Sequence, residues 1–229
     1  MQITKIEPQA RNNHKFNIFI DDQFALSLSG LQVTERRLKV GQELSDDDLS
    51  ELKSASLFTK YYQKSLDYLA KRARSRQELK TYIIQKAASN QIIKKRDGQV
   101  IKLKAEIDRQ QAELLAERIV EHLEQKKFIN DADFALAWAK LKSAKSPSNK
   151  MLRQELSKKG ISEDIIAQTI AKLNLEKSEG QALAELIVKL KPRSRYQDEL
   201  KLKRYLVSKG FSYADIVAAL ATHHDEPQP

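Results

Sequence analysis

The sequence predicts a mainly α protein: an elongated tandem array of three-helix repeats with a small N-terminal α+β module built around a β-hairpin. One observation is an internal repeat, because residues 198–220 match a segment fifty positions upstream. A second is strand-like alternation of apolar and polar residues over residues 14–29. A third is composition, since 41% hydrophobic and 31% charged residues are typical of globular and helical-repeat proteins.

The N-terminal module is predicted to span residues 1–53. Residues 14–20 and 23–29 alternate as two strands, and Asp21-Asp22 between them suits a two-residue hairpin connection. An isolated hairpin is marginally stable, so the module needs a neighbour. Its other predicted elements are a third strand at residues 3–6, a short helix after Gly30 through Leu38, and a helix over residues 46–53 that Ser45 and Asp48 cap.

Repeat one is predicted over residues 60–128, after a short connection at residues 54–59. Ser75 and Glu78 cap its second helix. Ala87 stands in place of the stopping glycine, so this helix either ends less sharply or runs on for a turn. Residues 88–112 form an insertion, for which two interpretations stay open: a hairpin that turns at Asp97-Gly98, or a mobile basic loop. The predicted apolar stripe of the first helix consists of Leu66, Leu69, Ala70 and Ala73.

The repeated segment indicates a helix, a tight stop and a second helix. Gly210 can adopt the left-handed backbone conformation that ends a helix without a Cβ clash, and Gly160 is its upstream counterpart. Ser212 and Asp215 have capping-box spacing, so the next helix is predicted from about Tyr213 to Ala221. The matched residues are Leu202, Leu206, Lys209, Gly210, Phe211, Ser212, Ile216 and Leu220 in one copy, and Leu152, Leu156, Lys159, Gly160, Ile161, Ser162, Ile166 and Ile170 in the other.

Repeat two is predicted over residues 130–173, repeat three over 179–221, and a frayed tail over 222–229. Asn130 is the expected cap of the first helix of repeat two, and Pro192 ends the first helix of repeat three. We expect Phe134 and Trp138 to anchor the core. The predicted apolar stripes are Phe134, Ala135, Trp138 and Leu141, then Leu183, Leu186, Ile187 and Leu190.

Positive charge is concentrated in the repeats. The chain carries a net +10, although residues 1–53 hold 7 basic against 9 acidic residues. Residues 60–86, 140–159 and 189–209 hold 8, 7 and 8 basic residues against 2, 1 and 2 acidic ones, so each segment is +6. A solvated helix face explains one such segment, but three in register favour a polyanionic partner.

Residue usage argues against several kinds of chemistry. The chain has no cysteine, which excludes disulfides, thiol catalysis and cysteine-bound zinc and is typical of the cytoplasm. The carboxylates of residues 46–48 lie in a predicted first helical turn, where negative charge is favoured without a metal. Two adjacent histidines, His223 and His224, are only weak evidence for a metal site in the tail. The six glycines are too scattered to form a phosphate-binding loop. We therefore expect no catalytic residue, metal, cofactor or membrane span.

Four short motifs follow one another in repeat register. They are Leu69-Ala70-x-Arg72-x-Arg74-Ser75-x-x-Glu78-Leu79, Ile129-Asn130-Asp131-x-x-Phe134-Ala135-x-x-Trp138, Glu155-Leu156-x-x-Lys159-Gly160-Ile161 and Tyr205-Leu206-x-x-Lys209-Gly210-Phe211-Ser212-Tyr213. Together they resemble the RecX regulatory protein family, which modulates the RecA recombinase. The likeness covers almost everything after residue 60, and ITKIEP followed by HKFNIFID is similar to the N-terminal segment of longer members. The chain departs from the family at Lys127-Phe128, where members usually have a glycine.

The resemblance implies a non-enzymatic regulator that binds RecA and its DNA filament and inhibits or modulates ATP hydrolysis, strand exchange and co-protease activity. We expect a cytoplasmic monomer whose basic side chains contact RecA or the phosphates of DNA. The candidate contact residues are Arg72, Arg74, Arg76, Lys150, Arg153, Lys158, Lys159, Lys201, Lys203, Arg204 and Lys209.

Two other classes of function stay open. A general DNA-binding helical-repeat protein without RecA specificity would bind bare single-stranded DNA and RecA-coated DNA equally well. A nuclease that used the carboxylates of residues 46–48 would cleave DNA only in the presence of a divalent metal.

Overall fold

The computed structural model describes residues 1–10, 12–94, 100–143 and 148–222, and within them the protein is mainly helical, as predicted. The strands are β1 (Ile3–Gln9), β2 (Asn12–Ile20), β3 (Gln23–Ser29), β4 (Gln91–Lys94) and β5 (Val100–Leu103). The helices are α1 (Gly30–Glu35), α2 (Asp46–Leu69), α3 (Arg76–Ala88), α4 (Arg109–Gln125), α5 (Asp131–Ser143), α6 (Asn149–Lys158), α7 (Glu163–Glu176), α8 (Glu179–Leu190), α9 (Glu199–Ser208) and α10 (Tyr213–Thr222).

The chain divides into two compact units. The first comprises Met1–Arg72 and Ile83–Ile119, and the second comprises Ala73–Tyr82 and Val120–Pro229. Helices α3 and α4 therefore contribute residues to both units.

The N-terminal sheet is antiparallel, with the strand order β1-β2-β3. Asp21 and Asp22 both have positive φ, at 47° and 62°, which is the conformation of a tight hairpin turn. The predicted hairpin and the predicted third strand are thereby confirmed. One face of the sheet packs against the start of α2, and the buried core there consists of Ile3, Ile18, Ile20, Leu26, Leu28, Leu44 and Leu52.

Helix α2 differs most from its prediction. It begins at Asp46 with the predicted Ser45–Asp48 capping box, but it continues for 24 residues to Leu69. The predicted connection at residues 54–59 is therefore wrong, because that segment contains no glycine or proline and stays helical. Tyr61 and Ser65 occupy its buried side, whereas Ala70 and Ala73 of the predicted stripe are exposed.

The end of α1, the insertion and the start of α4 show smaller differences from their predictions. Helix α1 ends at Glu35 rather than near Leu38, because Arg37 adopts a φ of 51°. In the insertion, β4 and β5 pair antiparallel, as the hairpin interpretation expects, and the predicted turn at Asp97-Gly98 lies outside the described residues. Helix α4 begins at Arg109, inside the predicted insertion, because Asp108 Oδ1 accepts a hydrogen bond from the Gln111 amide at 2.8 Å.

The second unit contains two successive three-helix clusters. In the first, Phe134 is 5% exposed, and Trp138 packs against it while remaining partly exposed. Leu141 was predicted on the same stripe but is 68% exposed, so that assignment is wrong. The predicted stripe of α8 is confirmed, because its four apolar residues are buried in the second cluster: Leu183, Leu186, Ile187 and Leu190.

The predicted helix starts and stops in the second unit are confirmed. Asn130 Oδ1 accepts hydrogen bonds from the Ala132 and Asp133 amides at 2.9 and 3.2 Å. Gly160 and Gly210 adopt φ values of 76° and 89°. Helix α10 ends at Thr222, and the predicted frayed tail with His223-His224 lies outside the described residues. No helix in the described ranges is both long enough and apolar enough to cross a bilayer.

Candidate partner-binding surfaces

The second helices of the repeats meet end to end within the second unit. The hydroxyl of Ser75, which caps α3, donates a hydrogen bond to the Lys159 carbonyl at the end of α6, at 2.6 Å. The amide of Ser148, which caps α6, donates to the Lys209 carbonyl at the end of α9, at 3.2 Å. Each junction places the positive end of one helix dipole against the negative end of the next. The basic second helices are therefore joined by a repeated contact.

The repeated glycines have a second role at these junctions. A Cβ added to Gly160 would lie 2.3 Å from the Gln77 Cβ, and one added to Gly210 would lie 2.4 Å from the Ser148 Oγ. Both distances are far shorter than a van der Waals contact. Glycine is therefore required for the approach of the neighbouring repeat as well as for the left-handed backbone conformation.

Two of the predicted contact residues make ion pairs within the second unit. Lys159 Nζ donates to Glu78 Oε1 at 2.7 Å and lies 4.3 Å from the centre of the Trp138 ring. Arg76 forms an ion pair with Glu124, and its amide donates to Asp131 Oδ1 at 2.8 Å. These cations hold the protein's own structure together.

The second junction lacks this ion pair. Glu78 lies three residues after the cap Ser75, and the residue three after the cap Ser148 is Met151. Lys209, the counterpart of Lys159, lies with its Nζ 5.2 Å from the centre of the Tyr205 ring. The candidate Lys209 is thus less constrained than Lys159.

The remaining candidates differ in their availability to a partner. Arg72 is exposed and Arg74 is half-buried. On α6, Lys150 and Lys158 are exposed and point away from the buried Leu152 and Leu156, while Arg153 forms an ion pair with Glu163. On α9, Arg204 is exposed, Lys201 lies 3.6 Å from Asp198, and Lys203 lies 2.5 Å from Glu199. The structure therefore favours Lys150, Lys158, Lys201 and Arg204 as solvent-facing cations.

The first unit contains a lysine cluster that was not among the predicted contact residues. Burial lowers the pKa of the Lys64 ammonium, and the positive charges of Lys60, Lys86 and Lys15 lower it further against the opposing effect of Glu106. Lys64 Nζ lies 4.9 Å from the centre of the Tyr61 ring. The available sequence signal was the spacing of Lys60 and Lys64, which places them one turn apart on the same helix face.

Glu106 is the counter-ion of this cluster. It forms an ion pair with Lys60, and its Oε2 lies 2.9 Å from the Tyr61 hydroxyl. Burial acts to raise the pKa of the Glu106 carboxyl, but the hydrogen bonds from Lys60 and Tyr61 hold it below its ordinary value. The insertion thus supplies an acid that partly neutralises the lysines of α2.

The carboxylates of residues 46–48 lie in the first turn of α2, where Asp48 forms the capping box with Ser45. Asp48 Oδ2 accepts a hydrogen bond from the Ser45 hydroxyl at 2.7 Å and one from the Ser45 amide at 2.9 Å. These bonds lower the pKa of the Asp48 carboxyl. Among the residues that the structure describes, no group of three or more histidine, aspartate or glutamate side chains could hold a metal ion.

Comparisons with known proteins agree with this architecture. A family model described as the regulatory protein RecX N-terminal domain matches residues 1–45, and the model of the second three-helix domain of RecX matches residues 130–170. A crystal structure of regulatory protein RecX shares the fold, with a TM-score of 0.64, 22% identity and coverage of 93% of this chain and 96% of the other. The crystal structure of RecX from Lactobacillus salivarius has a TM-score of 0.53, with 23% identity and coverage of 73% and 97%.

Curated relatives extend the similarity over nearly the whole chain. The regulatory protein RecX of Bacillus pumilus (strain SAFR-032) is 30% identical over 97% of this chain and 78% of its own length. That of Bacillus subtilis (strain 168) is 29% identical over 95% of this chain and 75% of its own length. The chain therefore belongs to the RecX family of regulatory proteins.

Proposed function

We propose that this protein binds the RecA recombinase and its filament on single-stranded DNA and restrains RecA in ATP hydrolysis, strand exchange and co-protease activity. The observation that carries the proposal is the set of solvent-facing cations on α6 and α9, which lie on helices joined by a repeated junction. A RecA filament contains DNA phosphates, and cations spaced along successive repeats can neutralise several of them. Family membership supports RecA as the protein component of the target.

The proposed action requires no chemistry by the protein itself. The glycines lie singly at positions 30, 41, 98, 160, 180 and 210, so the chain has no glycine-rich loop that would bind nucleotide phosphates. We place the effect on ATP turnover in RecA, which the bound regulator holds in a less active state. The regulator acts as a monomer in the cytoplasm.

The test is a RecA ATPase assay on single-stranded DNA with substoichiometric regulator. ATP hydrolysis should fall as the regulator is added, and the regulator alone should hydrolyse no ATP. An unchanged RecA rate at saturating regulator would contradict the proposal.

A binding comparison separates this function from general DNA binding. Affinity should be higher for RecA-coated DNA than for the same bare DNA at equal salt. Equal affinities would instead support a DNA-binding protein without RecA specificity. The same DNA should remain intact with and without a divalent metal. Cleavage that requires the metal would instead support a nuclease.

A further inference from the structure

The last repeat exposes apolar side chains where the preceding repeat has polar or smaller ones. Leu200, Val207, Tyr213 and Val217 are 58%, 47%, 61% and 41% exposed. The residues fifty positions upstream are Lys150, Ser157, Glu163 and Ala167. Both repeats bury the same inward positions, so the difference does not arise from packing within the repeat. Exposed apolar groups that form one patch are characteristic of interaction surfaces.

These four side chains lie on the last two helices of the repeat, two on each helix. On α9, the buried Leu202 and Leu206 mark the inward side, and helical periodicity places Leu200 and Val207 on the outward side with Arg204. On α10, Tyr213 and Val217 lie one turn apart on one face. The pKa of the Lys203 ammonium is raised, chiefly by its hydrogen bond with Glu199 and to a smaller extent by the Tyr213 side chain of α10. We call Leu200, Lys203, Val207, Tyr213 and Val217 the terminal face.

The terminal face has lost an ion pair that repeat two retains. In repeat two, Arg153 of α6 pairs with Glu163 at the start of α7. The same positions in repeat three are Lys203 and Tyr213, so this acid is absent and Lys203 pairs with Glu199 of its own helix. An ion pair between two helices has thus been replaced by an aromatic ring beside a lysine.

We propose that the terminal face docks a protein surface that presents an apolar pocket bordered by carboxylates. Lys201, Lys203 and Arg204 supply positive charge in and beside the face, which complements carboxylates on the partner. A protein partner is favoured over DNA because phosphates gain nothing from leucine and valine, and because Leu200 stands where repeat two has a lysine. Aromatic and arginine anchors with aliphatic neighbours are typical of the centres of protein interfaces.

This inference rests on the proposed function, since the RecA filament is the partner used to test it. It adds a second kind of contact: the solvent-facing cations of α6 and α9 contact phosphates, and the apolar side chains of the terminal face contact protein. Binding through the terminal face should therefore resist salt more than binding through the cations does, because apolar contacts are not screened.

The test uses a variant in which the four exposed apolar residues of repeat three are replaced by the corresponding residues of repeat two. The variant Leu200→Lys, Val207→Ser, Tyr213→Glu and Val217→Ala leaves the net charge unchanged, because the first and third substitutions cancel. All four positions are exposed, so circular dichroism and the melting temperature should match the wild type. We expect the affinity for the RecA filament to fall about 10-fold or more, at low and at high salt, with the affinity for bare single-stranded DNA within about twofold.

A matched control changes exposed leucines elsewhere in the second unit. Leu141 and Leu175 are 68% and 88% exposed, and Leu141→Glu with Leu175→Lys also conserves net charge. This variant should bind the filament like the wild type. If the variant with four substitutions in repeat three binds the filament as tightly as the wild type does, the docking proposal is overturned. An equal loss on bare DNA would assign the face to nucleic acid and also overturn it. If the wild type itself does not bind the filament, the proposed function fails, and this docking fails with it.

Discussion

At the scale of single residues, the repeated glycines show two constraints acting at one position. Gly160 and Gly210 need a left-handed backbone conformation, and each also lies against the start of the preceding repeat's second helix, at Gln77 and Ser148 respectively. The backbone requirement is local and was predictable from the sequence. The contact was not, because Gln77 and Gly160 are distant in the chain and nothing in the sequence pairs them.

Replacing Gly160 with alanine should destabilise the second unit by about 2 to 4 kcal/mol, because the left-handed conformation and the clash with Gln77 both add cost. Trp138 is the single tryptophan of the chain and lies beside the Lys159 ammonium at this junction, so its fluorescence during urea denaturation is the measurement. Gly180→Ala is the control, since its added Cβ would have no neighbour closer than 4.0 Å and its φ is not positive. A cost for Gly160→Ala no larger than that of Gly180→Ala would show that the junction is not close-packed.

The Glu106 carboxylate should make the stability of the first unit depend on pH. Its pKa is lowered in the folded state, so its contribution is present above the unfolded pKa and is lost as pH falls through the folded pKa. We expect Glu106→Gln to lower the melting temperature at about pH 7 and to have a smaller effect at about pH 3, because the wild-type carboxylate takes up protons as the pH falls toward its folded pKa. Melting followed by circular dichroism at both pH values is the measurement. An equal difference at both pH values would show that the charge of Glu106 is not what stabilises the cluster.

At the scale of helices, local signals predicted where helices start better than how far they run. Caps act over three residues, so Ser45, Asn130 and Ser212 could be identified from spacing alone. The continuation of α2 through residues 54–59 depends on what that segment packs against. Ser56, for example, donates a hydrogen bond to the Ser27 carbonyl of β3 at 2.6 Å, and this contact is invisible to periodicity.

Ser75 caps one helix and binds the end of another, so its loss should cost more than the loss of an ordinary cap. Its Oγ accepts from the Glu78 amide at 3.1 Å and donates to the Lys159 carbonyl at 2.6 Å. We expect Ser75→Ala to lower the free energy of unfolding of the second unit by about 2 kcal/mol, followed by Trp138 fluorescence in urea.

Ser162 is the matched control for this prediction. It occupies the cap position of α7 but makes no side-chain cap hydrogen bond. Ser162→Ala should therefore change the free energy of unfolding by less than about 0.5 kcal/mol. Similar costs at both serines would mean that the junction bond contributes nothing beyond ordinary capping.

At the scale of the whole molecule, the sequence predicted the amount of charge in each repeat but not its distribution between inside and outside. The equal charge of the three segments favoured a polyanionic partner for all of them. The structure shows instead that Lys159 forms an ion pair at the first junction and Arg76 forms one with Glu124 of α4, whereas Lys150, Lys158, Lys201 and Arg204 face solvent. Ion pairs between repeats depend on tertiary packing, which composition does not encode.

Neutralising the solvent-facing cations should weaken binding in a salt-dependent way. The variant Lys150→Gln, Lys158→Gln and Arg204→Gln should lower affinity for single-stranded DNA and for the RecA filament. It should also reduce the slope of log affinity against log salt by about 2, since about 0.7 is lost per phosphate contact on single strands. Fluorescence anisotropy over a salt series measures both quantities.

An equal change of charge at ion-paired sites is the control. Arg36, Arg109 and Lys177 pair with Glu51, Glu113 and Glu185, and their replacement by glutamine removes the same three charges. This control should keep the wild-type slope. Matching slopes in both variants would mean that total charge, and not these side chains, governs binding.

The two junctions of the second unit are unequal in strength, because Met151 stands at the second junction where the first junction has Glu78. The junction at Gly160 is held by the Lys159–Glu78 ion pair. At Gly210 the Ser148 amide donates to the Lys209 carbonyl, and Met151 offers Lys209 no carboxylate. Thermal opening should therefore begin at the C-terminal end, so amide protons of α9 and α10 should exchange with deuterium sooner than those of α6. Such an end could adjust its angle to a target while the rest of the unit stays rigid.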